Sequence, residues 1–247
     1  MQVQKRDGQL EDLDIDKLHK VVMYAVEGIT GVSASEVEIN SHIQFFDKIS
    51  STDIQETLIK SAADLISEES PNYQYVGGRL INYHLRKEVY GTFTPPCLCD
   101  IIQKNIDIGF YDAEFTELYT KDEINQLQEY IDHDRDEYLT YAAMEQFRGK
   151  YLVQNRATGE IFETPQVAYI MIAATLFSKY PAGTRMKYVK AYYDAISTFK
   201  ISLPTPVMAG VRTPQRQFSS CVLIETDDSL DSINATSSAV VKYVSQK

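Results

Sequence analysis

Val3-Gln4-Lys5-Arg6-Asp7-Gly8-Gln9-Leu10-Glu11-Asp12-Leu13-Asp14-Ile15-Asp16-Lys17-Leu18 is the stretch from which the fold is read. Asp7-Gly8 is a strong hairpin-turn pair, because a tight turn needs a positive φ that glycine adopts freely. Val3 then lies in a short extended stretch, and Gln9 to Leu13 form the return strand. Asp14 can cap a helix by accepting from the orphan N–H groups of its first turn. The apolar face of that helix follows at the right spacing: Leu18, Val21, Val22 and Ala25.

Further along, Ser51-Thr52-Asp53 starts a second helix, with Ile54, Leu58, Ala62, Leu65 and Ile66 in phase. Pro71 opens a third that carries Tyr73, Val76, Leu80 and Tyr83. Gly77-Gly78 inside it lowers helix propensity and suits a place where another backbone packs close. Residues 1–92 are thus a hairpin followed by helices. Thr94-Pro95-Pro96 breaks the pattern and marks a boundary. Residues 93–200 read as mostly helical. Thr120 and Glu123 form a capping box ahead of Ile124, Leu127 and Ile131. Tyr151-Leu152-Val153 and Ile161-Phe162 flank Thr158-Gly159 as a second hairpin. Helices follow near 165–179 and 184–198, the latter with Met186, Val189, Tyr193 and Ile196 on one stripe. Over 201–247, the β-favouring Ile201-Ser202-Leu203 and Cys221-Val222-Leu223-Ile224 alternate with turns, and Ser229 to Val244 reads as a helix. The expected fold is mixed α/β and mostly helical, with no internal repeat.

Composition narrows the function. The chain has 247 residues with 24 basic and 35 acidic side chains, a net charge of -11. An acidic chain is a poor non-specific nucleic-acid binder, although a few placed cations still suffice for a nucleotide. The three cysteines, Cys97, Cys99 and Cys221, are too few and odd in number for a secreted disulfide framework. Met-Gln-Val-Gln-Lys-Arg has no apolar signal core, and the apolar run Val167 to Phe177 is too short to span a bilayer. The reading is a cytoplasmic protein with reduced thiols and neither nucleic-acid nor membrane partners.

Lys5-Arg6-Asp7-Gly8 sets two cations beside exposed turn N–H groups, a reasonable phosphate cradle. Taken alone, such pairs are commonly solvated hairpins. Lys17 on the next helix and Arg86-Lys87 at the close of the third add cations that can converge on a triphosphate. The pattern Val-x-Lys-Arg-Asp-Gly, Glu11 to Lys17, Ser51-Thr52-Asp53-Ile54 and His84-Leu85-Arg86-Lys87 resembles the ATP-cone domain, an allosteric module for ATP or dATP. The resemblance implies an effector site of Lys5, Arg6, Glu11, Asp12, Leu13, Asp14, Ile15, Asp16, Lys17, Ser51, Gln55 and Lys87. Lys5 would meet phosphate, Glu11 to Lys17 would line the base and ribose, and Ser51 and Lys87 would complete the site. Close relatives usually carry histidine where Gln55 stands, and an amide cannot become cationic. That departure argues against strong dATP inhibition.

Ser202-Leu203-Pro204-Thr205-Pro206 and Gln217-Phe218-Ser219-Ser220-Cys221-Val222-Leu223-Ile224-Glu225 lead into Asp228-Ser229-Leu230-Asp231-Ser232-Ile233. On composition alone Cys221 would be a buried structural thiol. The stretch, continued through Asn-Ala-Thr-Ser-Ser-Ala to Lys242-Tyr243-Val244-Ser245-Gln246, resembles the first barrel strand of the class I ribonucleotide reductase large subunit. The resemblance implies an incomplete α/β barrel over 201–247 behind the helical segment. It implies Cys221 as one member of the dithiol that becomes a disulfide when the ribose 2′-hydroxyl is removed, positioned to protonate the departing oxygen. Thr205 and Ser220 would hold the substrate, a ribonucleoside diphosphate. Asp228, Ser229 and Leu230 would begin the specificity site for a deoxynucleoside triphosphate effector.

The resemblance further implies no covalently bound cofactor, a radical cofactor on a separate small subunit, and re-reduction by thioredoxin or glutaredoxin. The enzyme would be an oligomer. The family's large subunit continues well past Gln246. The radical cysteine, the partner of Cys221, and the catalytic Asn and Glu lie there, so the chain alone is expected to be inactive. It is either a fragment or one half of a split subunit. A stand-alone ATP/dATP-binding module without catalysis is the alternative. A nucleotide-responsive repressor is disfavoured, because the chain has no zinc ribbon and is acidic.

No metal is expected. Asp132-His133-Asp134-Arg135-Asp136 places sequential side chains in different directions and reads as a salt-bridged helix end. Cys97-x-Cys99 lacks the about four ligands of a zinc site. None of the 17 tyrosines is assigned to a radical relay, whose tyrosines in the family lie beyond this chain.

Overall fold

The computed structural model describes residues 1–6, 8–42, 44–216 and 218–245. Asp7 of the expected turn, Gln217 of the second motif and the terminal Gln246 lie outside them. The chain forms two compact units, Met1–Leu98 with Gln128–Ala168, and Cys99–Leu127 with Tyr169–Lys247.

In the first unit, β1 (Gln2–Gln4) pairs antiparallel with β2 (Leu10–Asp12), with Val3 opposite Glu11. Gly8 turns between them at φ 85°, and its N–H donates to Lys5 O at 2.9 Å. Asp14 caps α1 (Ile15–Val26), accepting from Lys17 N at 3.0 Å, and Leu18, Val21, Val22 and Ala25 are buried as the periodicity predicts. Two elements escape the sequence reading: α2 (Ala34–His42) and β3 (Ile49–Ser50), which pairs parallel with β1 and completes the sheet order β2-β1-β3. A two-residue strand carries no period, and α2 buries only Val37 and Ser41, so neither leaves an amphipathic signal.

Helix α3 (Ser51–Asp64) is capped by Ser50, whose hydroxyl accepts from Asp53 N at 2.9 Å; it stops before the expected Leu65 and Ile66. Helix α4 (Tyr73–Tyr90) starts two residues after Pro71 and ends at Gly91, which is left-handed at φ 73°. Gly78 meets the close backbone expected of it, since a Cβ there would stand 2.0 Å from Leu139 O. Val76, Leu80, Ile81 and Leu85 on α4 join Leu58, Ile59 and Ala62 on α3 as the core, all at most 2% exposed.

Helices α5 (Leu98–Asp107), α6 (Glu114–Leu118) and α7 (Lys121–Tyr130) follow. The predicted capping box forms before α7: Glu123 accepts from Thr120 N at 2.9 Å and Thr120 Oγ1 accepts from Glu123 N at 3.3 Å. Glu123 also pairs with the buried Arg185, whose Nε donates at 2.7 Å and whose guanidinium covers the Tyr119 ring at 4.0 Å. The Asp132–Asp136 run becomes a 3-10 turn, His133–Tyr138, capped by Asp132. Its carboxylates diverge: Asp132 pairs with Arg135 at 3.2 Å, while Asp136 is fully buried against Arg86.

Helix α8 (Tyr141–Gln146) runs into a π-helical turn, Phe147–Tyr151, which takes up Tyr151, the first residue of the expected strand Tyr151-Leu152-Val153. The second hairpin survives as a bridge between Gln154 and Ile161, tightened by Phe162 N donating to Val153 O at 2.9 Å and by Gly159 at φ 78°. Helix α9 (Pro165–Leu176) is buried through Ala174, as an all-round apolar helix must be. Helix α10 (Ala182–Ser197) buries the predicted Met186, Val189, Tyr193 and Ile196.

The expected barrel strands are not formed among the described residues. Ile201–Leu203 is irregular, Thr205 opens the short helix α11 (Thr205–Gly210), and Cys221–Ile224 has no regular secondary structure, with Leu223 98% exposed. A strand is held by the N–H and C=O groups of a neighbour, and no described segment supplies one. Helix α12 (Leu230–Ser245) forms over the predicted range and buries no residue. No helix among the described residues is long and apolar enough to cross a membrane.

Candidate functional site

The hairpin, α1, the start of α3 and the end of α4 enclose a pocket of about 860 Å³. Of the twelve effector-site residues read from the sequence, ten line it: Lys5, Arg6, Glu11, Asp12, Leu13, Asp14, Lys17, Ser51, Gln55 and Lys87. Ile15 and Asp16 do not, because the first turn of α1 carries them round to the outside, where Ile15 is 57% exposed.

The secondary structure explains how distant residues meet. Lys5 follows β1 and Glu11 lies in β2, so the hairpin brings them together as an ion pair at 3.1 Å. Asp14 serves two partners, capping Lys17 N and pairing with Lys17 Nζ at 3.4 Å. The backbone hydrogen bond from Lys17 is the first cause that lowers the Asp14 pKa, so the carboxylate stays ionised. Arg6 Nη1 donates to Lys87 O at 3.2 Å and so anchors the turn to the last turn of α4, where helix carbonyls attract a cation. Lys87 Nζ lies over the Tyr83 ring at 4.3 Å. Ser51 and Gln55 are one turn apart on α3 and share a face. Gln55 Oε1 is buried without a hydrogen-bond partner among the described residues, an acceptor for which a ligand donor would be the natural complement.

Residues that the sequence reading missed supply the other wall. Tyr24, Tyr83 and Phe93 line the pocket, with Phe93 5.4 Å from both tyrosine rings between centroids. Lys20 adds a fifth cation to Lys5, Arg6, Lys17 and Lys87, against three acidic side chains. Burial is the first cause that pushes the Tyr24 hydroxyl up to about 12, ahead of the charge of Glu137. An apolar, aromatic wall facing a net-positive rim suits an anion that carries a flat ring. Lys17, Lys20 and Tyr24 recur at spacings of three and four along α1, a stripe that could have been read from the sequence. Phe93 follows the end of α4 and leaves no such signal.

None of the second set of residues lines that pocket. Cys221 and Ser220 are exposed, and Ser220 Oγ lies 3.9 Å from Cys221 Sγ. Thr205 is half-buried at the first position of α11. Asp228, Ser229 and Leu230 precede and open α12; Ser229 Oγ accepts from Ser232 N at 3.2 Å, and Leu230 is 80% exposed.

The ATP cone domain family matches residues 1–88, the part that holds nearly all of the pocket. The all-alpha domain of ribonucleotide reductase matches residues 137–216. The chain carries an ATP cone followed by a ribonucleotide reductase all-alpha domain. It is 60% identical to ribonucleoside-diphosphate reductase 1 subunit alpha of Escherichia coli over 99% of its length. It is 58% identical to ribonucleoside-diphosphate reductase subunit alpha of Haemophilus influenzae over 100% of its length, and 44% identical to that of Enterobacteria phage T4 over 98%. The chain spans about a third of these relatives, 32%, 33% and 32% of their lengths respectively. The match to the alpha subunits continues through α12, so the exposed Cys221 segment lies within it although the all-alpha match stops at residue 216.

Proposed function

We propose that the chain is the N-terminal portion of a ribonucleoside-diphosphate reductase alpha subunit, in which the pocket binds ATP or dATP as an allosteric effector. The observation that carries the reading is the convergence of Lys5, Arg6, Lys17, Lys20 and Lys87 around a cavity backed by Tyr24, Tyr83 and Phe93. The cations would hold the triphosphate, as charge-assisted hydrogen bonds favour, and the rings would take the adenine. Residues 1–92 serve as the cone, 93–200 as the helical domain and 201–247 as the beginning of the catalytic barrel.

In the whole enzyme, Cys221 is one half of the reducing dithiol. A thiyl radical removes the ribose 3′-hydrogen and returns it at the end. In between, one thiol proton leaves with the 2′-hydroxyl as water, and the dithiol supplies the two electrons and the hydrogen that replaces the hydroxyl at C2′. The resulting disulfide is reduced by thioredoxin or glutaredoxin. Thr205 and Ser220 contact the ribonucleoside diphosphate; Asp228, Ser229 and Leu230 contribute to the specificity-effector site. The remaining part of the alpha subunit and a radical-bearing small subunit are the required partners, in a cytoplasmic oligomer.

Titration calorimetry with ATP and dATP tests the regulatory reading. Binding that Lys5→Ala weakens supports it, and no binding at millimolar nucleotide removes it. Reduction of CDP tests the catalytic reading. Activity should require both the remaining alpha-subunit polypeptide and the small subunit, and be lost in Cys221→Ser. The exposure of Cys221 favours a second reading, a nucleotide-binding module without catalysis, which a complemented mixture inactive on CDP would support.

A further inference from the structure

The aromatic wall of the pocket has a second face. Behind Phe93, and outside the pocket lining, the Arg86 guanidinium lies over the ring at 4.9 Å. Arg86 is buried on α4, and its Nη2 donates to His133 O at 2.8 Å and to Asp136 Oδ2 at 3.3 Å. Asp136 is fully buried, and its Oδ1 accepts from Gln166 Nε2 at 2.9 Å. Tyr24 has an outer partner as well: its hydroxyl donates to Glu137 Oε1 at 3.4 Å, and Glu137 pairs with Arg79 at 3.5 Å. Two of the three rings that line the pocket are therefore tied to one element, the His133–Tyr138 turn, by independent contacts. The turn includes residue 137, where the all-alpha domain match begins.

These ties are stiff for a physical reason. A buried ion pair that loses one partner leaves an uncompensated charge, so Arg86 and Asp136 move together or not at all. A ring that shifts to stack on a base carries the cation above it, and that cation is bonded to the turn. Coupling of this kind needs differential contacts, which a ligand ring makes with the wall and phosphates alone do not.

We infer that the pocket reports its occupancy to the His133–Tyr138 turn through Phe93–Arg86–Asp136 and Tyr24–Glu137, so that the turn is the output element of the cone and responds to ligands that carry a base. The inference rests on the nucleotide reading of the pocket. Arg86, Asp136 and Glu137 act through the rings and are positioning residues.

Hydrogen–deuterium exchange on the full chain tests it, with ATP and inorganic tripolyphosphate as probes. ATP should slow exchange both in peptides of the pocket and in those covering residues 133–139, the latter by about five-fold or more, the lower end of ordinary coupling between sites. Tripolyphosphate should protect only the peptides that carry the cations, which are the hairpin, α1 and the end of α4. Removing Arg86 alone would strand Asp136, so the pair is exchanged as Arg86→Met with Asp136→Leu, a replacement that buried pairs tolerate. That variant should keep pocket protection by ATP and lose the response at the turn. Glu137→Gln, outside the buried pair, should weaken the response and serves if the double variant does not fold.

ATP binding with unchanged exchange at 133–139 overturns the inference and leaves the nucleotide reading standing. An equal response to tripolyphosphate, or a full response in both variants, also overturns it. If ATP does not bind, the nucleotide reading falls and the inference with it.

Discussion

The pocket of the cone and the segment around Cys221 make opposite use of similar local sequence. Both join short β-favouring stretches to a capped helix. In the cone, β1 finds partners on both sides, and the hairpin, α1, α3 and α4 close a cavity around ten of the residues expected there. Around Cys221 the residues of Cys221–Ile224 join no strand pair among the described residues, and α12 buries no side chain. Residues become a site when several segments wall them in; motif residues on one exposed segment remain a list of groups in water. The cone already has its walls within one compact unit.

That contrast can be broken most severely at Gly78. A methyl group there meets Leu139 O at 2.0 Å, a backbone atom that cannot swing aside. Gly78→Ala should lower stability by about 3 kcal/mol, the upper range for overpacking, and should loosen the His133–Tyr138 turn that follows α4. Urea unfolding measures the first effect; a variant as stable as the parent would show the close approach to be soft.

The pH dependence comes next. Burial pushes His84 and His133 down to about 4 from 6.5. Groups with depressed folded pKa values give stability that is complete above 6.5 and lost as the pH falls toward 4, because the unfolded chain binds protons first. Asp136 opposes this: burial raises it to about 6 from 3.8, so its protonation favours the folded state over that window. Burial raises Glu88 as well, which opposes in the same sense, whereas the Arg185 hydrogen bond lowers Glu123 and adds to the loss at low pH. The two histidines should leave a net fall in thermal midpoint from pH 6.5 to 4. His133→Gln should flatten it, and an unchanged profile would mean that His133 is solvated.

A smaller effect sharpens the comparison at a helix start. Ser50→Ala removes the acceptor for Asp53 N at the beginning of α3 and should cost about 1 kcal/mol. Its position next to Ser51 should also weaken ATP binding if the pocket needs an ordered α3 terminus. The smallest effect belongs to the exposed region: Leu230→Ala, at 80% exposure, should change the stability of the isolated chain by no more than about 0.5 kcal/mol. A loss like that of a core leucine would show that α12 is covered.

Much of this was legible before the structure. Asp14 as a cap, the stripe Leu18-Val21-Val22-Ala25, the Thr120–Glu123 box and the tolerance of Gly78 all follow from local rules and are found in place. The strand over Cys221–Ile224 was read from composition and resemblance, and it fails because β structure is a relation between segments. Tyr24 was within reach of the helical period of α1. Phe93 was not, since only the fold of the chain after Gly91 brings it against Tyr24 and Tyr83.

The sequence alone determined which residues carry charge, which faces are apolar, which residues cap α1 and α7, and the likeness to the cone and to the reductase segment that contains Cys221. Those properties depend on neighbours within a few positions, or on matched motifs. Only the tertiary structure decided that β3 joins the hairpin, that three aromatic rings back the cations, and that Arg86 binds Phe93 to Asp136 across fifty residues. Contacts that distant are set by packing and by the high cost of leaving a buried charge or backbone group without a partner, and no local pattern encodes which partner it will be.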